Sequence, residues 1–335
     1  MFISVIIPTR NRAKTLKQTL EALYRNQPAF GFEVVVVDNG SSDNTADVCE
    51  IFNNPTWNFK YVFDAEPGLL TGRHHGAAVA GGEILCFLDD DVEISETWFG
   101  GVAEAFSNAD VQLATGPSLP KFETPPPGWL ELFWEKHPSG GSYCTWLSLL
   151  DLGSKPMKID ANFVFGLNFC IRKTALYTLQ GFHPDNIPAT LQMYQGDGET
   201  GLTSKANELG YLAVYHPNIK LFHLIGTDRL TTDYFKKRAF YQGVCNSFSA
   251  IRLKHSGKGP AVVENNLGRK LARQVREVLS KTKTLLFPQK DRILRAMLAA
   301  EEKRGYTFHQ RAFRKNASVQ KWVLKPDYWD YKLPA

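Results

Sequence analysis

Short β-branched runs that alternate with helix-forming segments hold this chain to one class of fold. Residues 3–7 (ISVII) and 33–37 (EVVVV) each end in a polar turn and enclose a helix-like stretch at 15–25, so they read as a βαβ unit. Residues 43–52 continue as a second helix, 58–63 as a third short strand, and 72–80 as a helix leading into an apolar run at 84–88. Residues 111–115 read as a further strand. Strands alternating with helices require a mostly parallel sheet covered on both faces. The fold class expected is therefore α/β, a doubly wound, mostly parallel mixed sheet.

The fourth run, ILCFLDDD, ends in three consecutive carboxylates, Asp89, Asp90 and Asp91. They fall where a strand buried on both faces emerges at the carboxyl edge of the sheet, the edge at which open α/β sheets bind ligands. Adjacent negative charges repel unless solvent or a cation relieves them, and oxygen ligands favour a hard divalent ion such as Mn²⁺ or Mg²⁺. A solvated acidic turn is the competing reading.

Composition excludes several classes. With 43% apolar and 22% charged residues, the chain is neither disordered nor low in complexity. No window approaches the ~20 apolar residues of a membrane span, and the opening stretch lacks the basic region of a secretion signal. The five cysteines (Cys49, Cys86, Cys144, Cys170, Cys245) are scattered without CxxC spacing, which fits reduced thiols in a cytoplasmic protein rather than a disulfide framework or zinc site. Charge is unevenly spread: residues 1–250 hold 19 of the 39 Lys/Arg and 27 of the 34 Asp/Glu, net −8, whereas 251–335 are net +13.

Past residue 115 the pattern changes. Residues 117–154 contain Pro125, Pro126 and Pro127, paired Gly140 and Gly141, and Trp129, Trp134 and Trp146; such a stretch reads as an irregular functional loop or lid. Strand-like character resumes at 161–171, followed by helices at 173–179 and 196–209 and short strands at 211–215 and 219–223. From residue 232 the reading is helical, with Leu267, Leu271, Val275 and Leu279 recurring every fourth position. A boundary near 226 gives a catalytic domain of 1–225 and a basic helical extension of 226–335.

Asp38 closes VVVVDNGSSDNT. A dinucleotide-binding fold would need GxGxxG after its first strand, and that turn reads PTRNRAKT. Asp38 with Asn39 remains suited to hydrogen-bond a base or ribose, or to shape a helix-capping turn.

SVIIPTRNRAKTL, VVVVDNGSSDNT, EPGLLTGRHHGAAVAGGEILCFLDDDVE, GLNFCIRKTAL and GDGETGL, in this order and spacing, resemble the family 2 glycosyltransferases of GT-A fold over roughly residues 1–225. The resemblance implies an inverting enzyme that uses a nucleoside-diphosphate sugar and a divalent cation. It implies that Pro8, Thr9 and Arg10 line the base pocket, that Asp38 contacts the base, that Asp91 with Asp89 holds the metal, and that Asp90 lies near the ribose. It also implies Glu199 as the base that deprotonates the acceptor hydroxyl, with Asp197 as the other choice because Gly198 stands where an acid is usual. His223 matches a histidine at the metal or diphosphate, ahead of His216, and Arg73 matches a basic residue that pairs with phosphate. His74 stands where asparagine is common; Arg229 and residues 236–238 read first as a solvated helix face, with positive charge over the diphosphate as the alternative.

For the acceptor, Trp129, Trp134 and Trp146 offer flat faces for a sugar ring and Asn168 offers hydrogen bonds, with core packing as the alternative for each tryptophan. The partners expected are the sugar nucleotide and a saccharide or lipid-linked acceptor, without nucleic acid. Arg269, Lys270, Arg273 and Arg276 beside Leu267, Leu271 and Val275 suit contact with the anionic inner face of a membrane. Other readings are a sugar-nucleotide pyrophosphorylase, which lacks its basic Gly-rich first loop here, a phosphatase, which Glu93 argues against, and a non-catalytic nucleotide- or carbohydrate-binding protein.

Overall fold

The computed structural model describes residues 1–54, 57–65, 68–183, 189–255 and 289–329. Its internal contacts separate two units, one of residues 1–230 together with the C-terminal segment 326–329, the other within 231–325. The first unit thus takes in a piece of the expected extension: the chain leaves it after Leu230 and returns at Pro326.

In the first unit, β1 (Ile3–Thr9), β2 (Phe32–Asp38), β3 (Phe59–Phe63) and β4 (Ile84–Leu88) are linked by α1 (Ala13–Arg25), α2 (Thr45–Phe52) and α3 (Leu69–Val79). A short β5 (Val92–Ile94) and α4 (Trp98–Ser107), both illegible in the sequence, lead to β6 (Val111–Thr115). Next come β7 (Ser118–Phe122), β8 (Glu135–Lys136), β9 (Ser142–Cys144), β10 (Leu149–Asp151) and β11 (Met157–Ile159). The unit continues with β12 (Asn168–Arg172), α5 (Lys173–Thr178), α6 (Glu199–Glu208), β13 (Leu212–Tyr215) and β14 (Leu221–Ile225).

The main sheet has the order β11-β13-β6-β12-β4-β1-β2-β3. Pairs β1/β2, β1/β4, β2/β3 and β6/β13 are parallel, while β12 runs antiparallel to both β4 and β6. The alternation of side chains sorts the core in two. Ile3, Val5, Ile7, Val34, Val36, Cys86 and Leu88 pack with Leu16, Leu20, Val48 and Trp98 on one face; Ile6, Val35, Val37, Leu85 and Phe87 pack with Leu70, Ala77, Leu176 and Leu202 on the other. Both faces are covered, which is why these strands read as unbroken apolar runs. Helix α3 lies so close to β1 that a Cβ at Gly76 would collide with Ile6 and Val37.

The expectation of an irregular lid at 117–154 is overturned. This stretch supplies β7, β8, β9 and β10 to a second sheet of order β5-β14-β7-β10-β9-β8. Strands of two or three residues are too short to show a period, and the parallel partner of β7 is β14, far along the chain. Of residues 161–171, only 168–171 join a strand, β12; 161–163 form a single tight turn capped by Asp160.

The second unit contains the helices Thr232–His255, Gln289–Lys315 and Ala317–Val323. Gly243 faces the backbone of Glu302, and Gly305 that of Phe240, so the first two helices meet at near backbone contact. Leu267, Leu271, Val275 and Leu279, with Arg269, Lys270, Arg273 and Arg276, lie outside the described residues. No described helix is long and apolar enough to cross a membrane.

Candidate active site

The carboxyl ends of β1, β2 and β4 meet at one edge, with Thr9 and Asp38 in register and the acidic triplet directly after Leu88. A cavity of about 310 Å³ opens there, within the size range of small-molecule sites. Pro8, Thr9, Arg10, Asn39, Asp89, Asp90 and Arg229, seven residues singled out in the sequence, line it. Arg12 completes its polar wall. Arg12 was missed, although a basic residue in the turn after β1, opposite an acidic strand end, was a usable signal.

The three acids have separate partners. Asp89 Oδ1 accepts a hydrogen bond from Arg73 Nη2 at 3.0 Å. Asp90 accepts from Thr9 Oγ1 at 2.7 Å and pairs with Arg12 Nε at 3.2 Å. Burial pushes its pKa up to about 7, with the neighbouring Asp91 and Asp89 adding to the rise and Arg12 opposing it. Asp91 Oδ2 accepts from Arg12 Nη2 and Arg229 Nη2, both at 2.7 Å. Burial alone would raise the Asp91 pKa, but His223, Arg229 and Arg12 hold it well below the usual carboxylate range.

The donor set suits a metal in one respect and falls short in another. Among the described residues, no group of three or more His, Cys, Asp and Glu is arranged to hold an ion. There is, however, a pair. Asp91 Oδ1 is buried without a hydrogen-bond partner and lies 3.6 Å from His223 Nε2. His223 Nδ1 donates to Leu147 O at 3.0 Å, and its Nε2 lies between Asp91 Oδ1 and Arg229 Nη1, the latter at 2.7 Å. One or two protein ligands completed by substrate phosphate oxygens is the usual way Mg²⁺-like ions are held, so the residues fit such a cation. His216 instead pairs with Glu104 at 3.2 Å.

Arg73 departs from expectation. It is fully buried, and its terminal nitrogens serve Glu199 Oε1, Asp89 Oδ1 and the Gly166 carbonyl. Its guanidinium is thus held by protein carboxylates, where the sequence reading gave it a phosphate. Glu199 begins α6 and keeps about a third of its side chain exposed. Asp197 is buried, and its Oδ1 meets His183 Nδ1 at 2.5 Å. Between them Gly198 has φ +59°, a left-handed conformation that favours glycine over the acid usual there.

Other expectations resolve structurally. Asp38 accepts from the Ser41 amide and the Tyr61 hydroxyl, both at 2.8 Å, and is buried. Asn39 reaches Asp64 at 3.4 Å, and Asp64 also meets His75 Nδ1 at 3.1 Å; the sequence gave no hint of Asp64 or Tyr61. Asn168 is corrected outright. It is fully buried, its Oδ1 accepts from Trp98 Nε1 and its Nδ2 donates to Ile219 O, so the amide is spent within the core. Trp129 and Trp146 both pack on Phe133, at ring separations of 6.0 and 5.2 Å. Neither they nor Trp134 line the cavity.

A model of the family described as Glycosyl transferase family 2 matches residues 4–176, more than half of the 335-residue chain. The chain belongs to this family. Among curated relatives, Glycosyltransferase AglE of Haloferax volcanii is 33% identical over 117 residues, 34% of this chain and 38% of that protein. Validoxylamine A glucosyltransferase of Streptomyces hygroscopicus is 43% identical over 93 residues, 27% of this chain and 22% of that protein. The chain thus matches well under half the length of either relative. Among solved structures, the mannosyltransferase PcManGT of Pyrobaculum calidifontis, in complex with GDP-Man and Mn²⁺, superposes with a TM-score of 0.55 at 17% identity, over 92% of this chain and 86% of that one. That likeness shows the fold, the GT-A arrangement expected from the sequence.

Proposed function

We propose that this chain is an inverting glycosyltransferase that moves a sugar from a nucleoside-diphosphate sugar to a hydroxyl of a glycan or lipid-linked saccharide, assisted by a divalent cation. The observation that carries this reading is the guanidinium of Arg73, which joins Glu199 to Asp89, a residue of the cavity wall. An acid that can take the acceptor proton is thereby tied to the edge at which a sugar nucleotide would lie. Family membership and the GDP-Man and Mn²⁺ held by the solved relative support the same donor class and cofactor.

Pro8, Thr9, Arg10 and Asn39 form the wall suited to the nucleoside, and Asp90 the acceptor suited to ribose hydroxyls. Arg12 and Arg229 present fixed forks that match diphosphate oxygens. Asp91 and His223, with Asp89, would hold Mn²⁺ or Mg²⁺, which when bound neutralises charge on the departing diphosphate. Glu199 then accepts the proton of the acceptor hydroxyl as it attacks from the face opposite the leaving group. An anionic membrane as the place of the acceptor is supported by the +13 net charge of residues 251–335; binding to phosphatidylglycerol vesicles that vanishes in 0.5 M salt is the expected result.

The test is hydrolysis and transfer across a panel of UDP- and GDP-sugars with Mn²⁺ or Mg²⁺, comparing the native chain with Asp91→Ala and Glu199→Gln. Turnover that needs the cation and both side chains is expected. Full activity of both variants would refute the assignment.

A further inference from the structure

We infer that the C-terminal segment 326–329 positions Glu199, through a closed circuit of contacts on which Tyr328 and Trp329 sit. The inference rests on Glu199 being the acid that activates the acceptor.

The circuit can be followed residue by residue. Arg73 holds Glu199 and lies over the Phe182 ring at 5.6 Å. Its neighbour on α3, His74, accepts a hydrogen bond through Nε2 from the Phe182 amide at 2.8 Å. The residue after Phe182, His183, holds Asp197 through Nδ1. Asp197 stands two positions before Glu199, and its carbonyl accepts from the Thr200 amide in the first turn of α6 at 3.0 Å. The turn before α6 is thus held by His183, and Arg73, which holds Glu199 from α3, is the chain neighbour of His74.

The C-terminal segment touches both histidines. Tyr328 is fully buried; its carbonyl accepts from His74 Nδ1 at 3.2 Å and its ring lies 5.4 Å from that of His183. Trp329 stacks between His74 at 4.2 Å and Tyr177 at 4.6 Å. The Tyr328 carbonyl also fixes the chemistry of the circuit. With Nδ1–H donating to it, His74 is held in the one neutral tautomer whose Nε2 can accept from Phe182. A displaced segment leaves Nδ1–H buried without an acceptor and lets the tautomers exchange, which loosens the Phe182–His183 step and with it the turn that carries Glu199.

A tail that merely adds packing would lower stability and leave the chemical step alone. A positioning role makes a different prediction. In the whole 335-residue chain, Trp329→Ala and Tyr328→Ala are expected to lower kcat for sugar-nucleotide turnover by tenfold or more, with donor KM and Mn²⁺-dependent binding of UDP and GDP within about threefold of native. Trp329→Phe and Tyr328→Phe, which keep a ring in place, should recover most of kcat. Because the effect is exerted through Glu199, Trp329→Ala added to Glu199→Gln should cost less than twofold more, a non-additivity diagnostic of a shared route. If Tyr328→Ala does not fold, the half-buried Trp329 carries the test alone.

Native kcat in Trp329→Ala beside a Glu199→Gln variant slowed to a measurable residual rate would overturn this inference and leave the functional reading standing. Parallel loss of nucleotide binding and turnover, or full additivity in the double variant, would overturn it as well. Full activity in Glu199→Gln would remove the functional reading and this inference together.

Discussion

Replacing Arg73 by methionine removes one guanidinium and leaves two carboxylates and a carbonyl facing an apolar stub. Arg73 has no solvent exposure, and its partners Asp89 and Glu199 each keep 32% of their side chains exposed. Breaking a buried ion pair by deleting one member costs about 3–5 kcal/mol. Screening of the two part-exposed acids brings the expectation to the lower end, about 3 kcal/mol. At about 2–4 °C per kcal/mol for a unit of this size, Tm falls by about 6–12 °C. The deficit also carries a sign in pH. Burial raises the Asp89 pKa and Arg73 opposes that rise, so without Arg73 the carboxyl is driven further up. An acid whose folded pKa lies above its unfolded value destabilises the fold as pH rises through the folded pKa, and ceases to do so below the unfolded one. Arg73→Met is therefore most damaging at pH 8 and recovers toward pH 5. Arg73→Lys, with one charge but no fork, should fall between. Scanning calorimetry at pH 5, 6.5 and 8 measures this. A Tm drop under 2 °C at pH 8, or a deficit that grows in acid, would refute the reasoning.

Four further outcomes are expected. Asp91→Asn should weaken Mn²⁺ binding at least tenfold by calorimetry, since it removes the charge on the buried oxygen facing His223. Acid should destabilise the fold through His74 and His309, whose pKa values burial lowers to about 3 and about 4. Both contributions are intact above the unfolded pKa near 6.5 and are lost on descending toward those values, about 2 kcal/mol each by pH 5; His309→Phe should flatten its share in urea titrations. Gly198→Ala should cost about 1–2 kcal/mol, because its Cβ would only touch Leu70 Cδ1 at an ordinary 4.0 Å and the positive φ is what is penalised. Its kcat should fall more than its Tm, because Glu199 follows directly. Gly305→Ala should cost about 1–3 kcal/mol in the second unit, where a Cβ meets the Phe240 backbone.

The sheet was legible because its signals are local. Each of β1, β2 and β4 is a run of residues buried on both faces, and each ends in the polar turn that carries Thr9, Asp38 or the acidic triplet. The second sheet was not, since its strands are as short as two residues and β14 pairs with β5 and β7 from far away in the chain. The same division runs through the site. Pro8, Thr9, Arg10, Asn39, Asp89 and Asp90 reach the cavity because each sits at a strand end, a position the sequence marks. Asn168 has the right residue type one strand away, but its orientation is set by Trp98 and Ile219, which no local pattern reveals. The roles of Tyr328 and Trp329 depend on the chain returning to the first unit after nearly a hundred residues, and nothing in PDYWD itself points to that.

The acidic triplet is best understood through its arginines. Each carboxylate has a cationic partner: Arg73 for Asp89, Arg12 for Asp90, and the same Arg12 with Arg229 for Asp91. The repulsion that made three adjacent acids suggestive in the sequence is thus partly offset within the protein, and burial together with what remains of it raises the pKa of Asp89 and Asp90. What distinguishes the three is what each guanidinium touches besides its acid. Arg73 also holds Glu199, Arg12 stands in the cavity wall, and Arg229 also donates to His223. A diphosphate entering the cavity competes with Asp90 and Asp91 for Arg12 and Arg229, and each hydrogen bond it takes frees carboxylate charge beside His223. Cation affinity should therefore rise when nucleotide is bound, and nucleotide affinity rise equally when the cation is bound, as linkage requires. The coupling is reciprocal and should weaken in Arg229→Gln, where Asp91 has one guanidinium fewer to release.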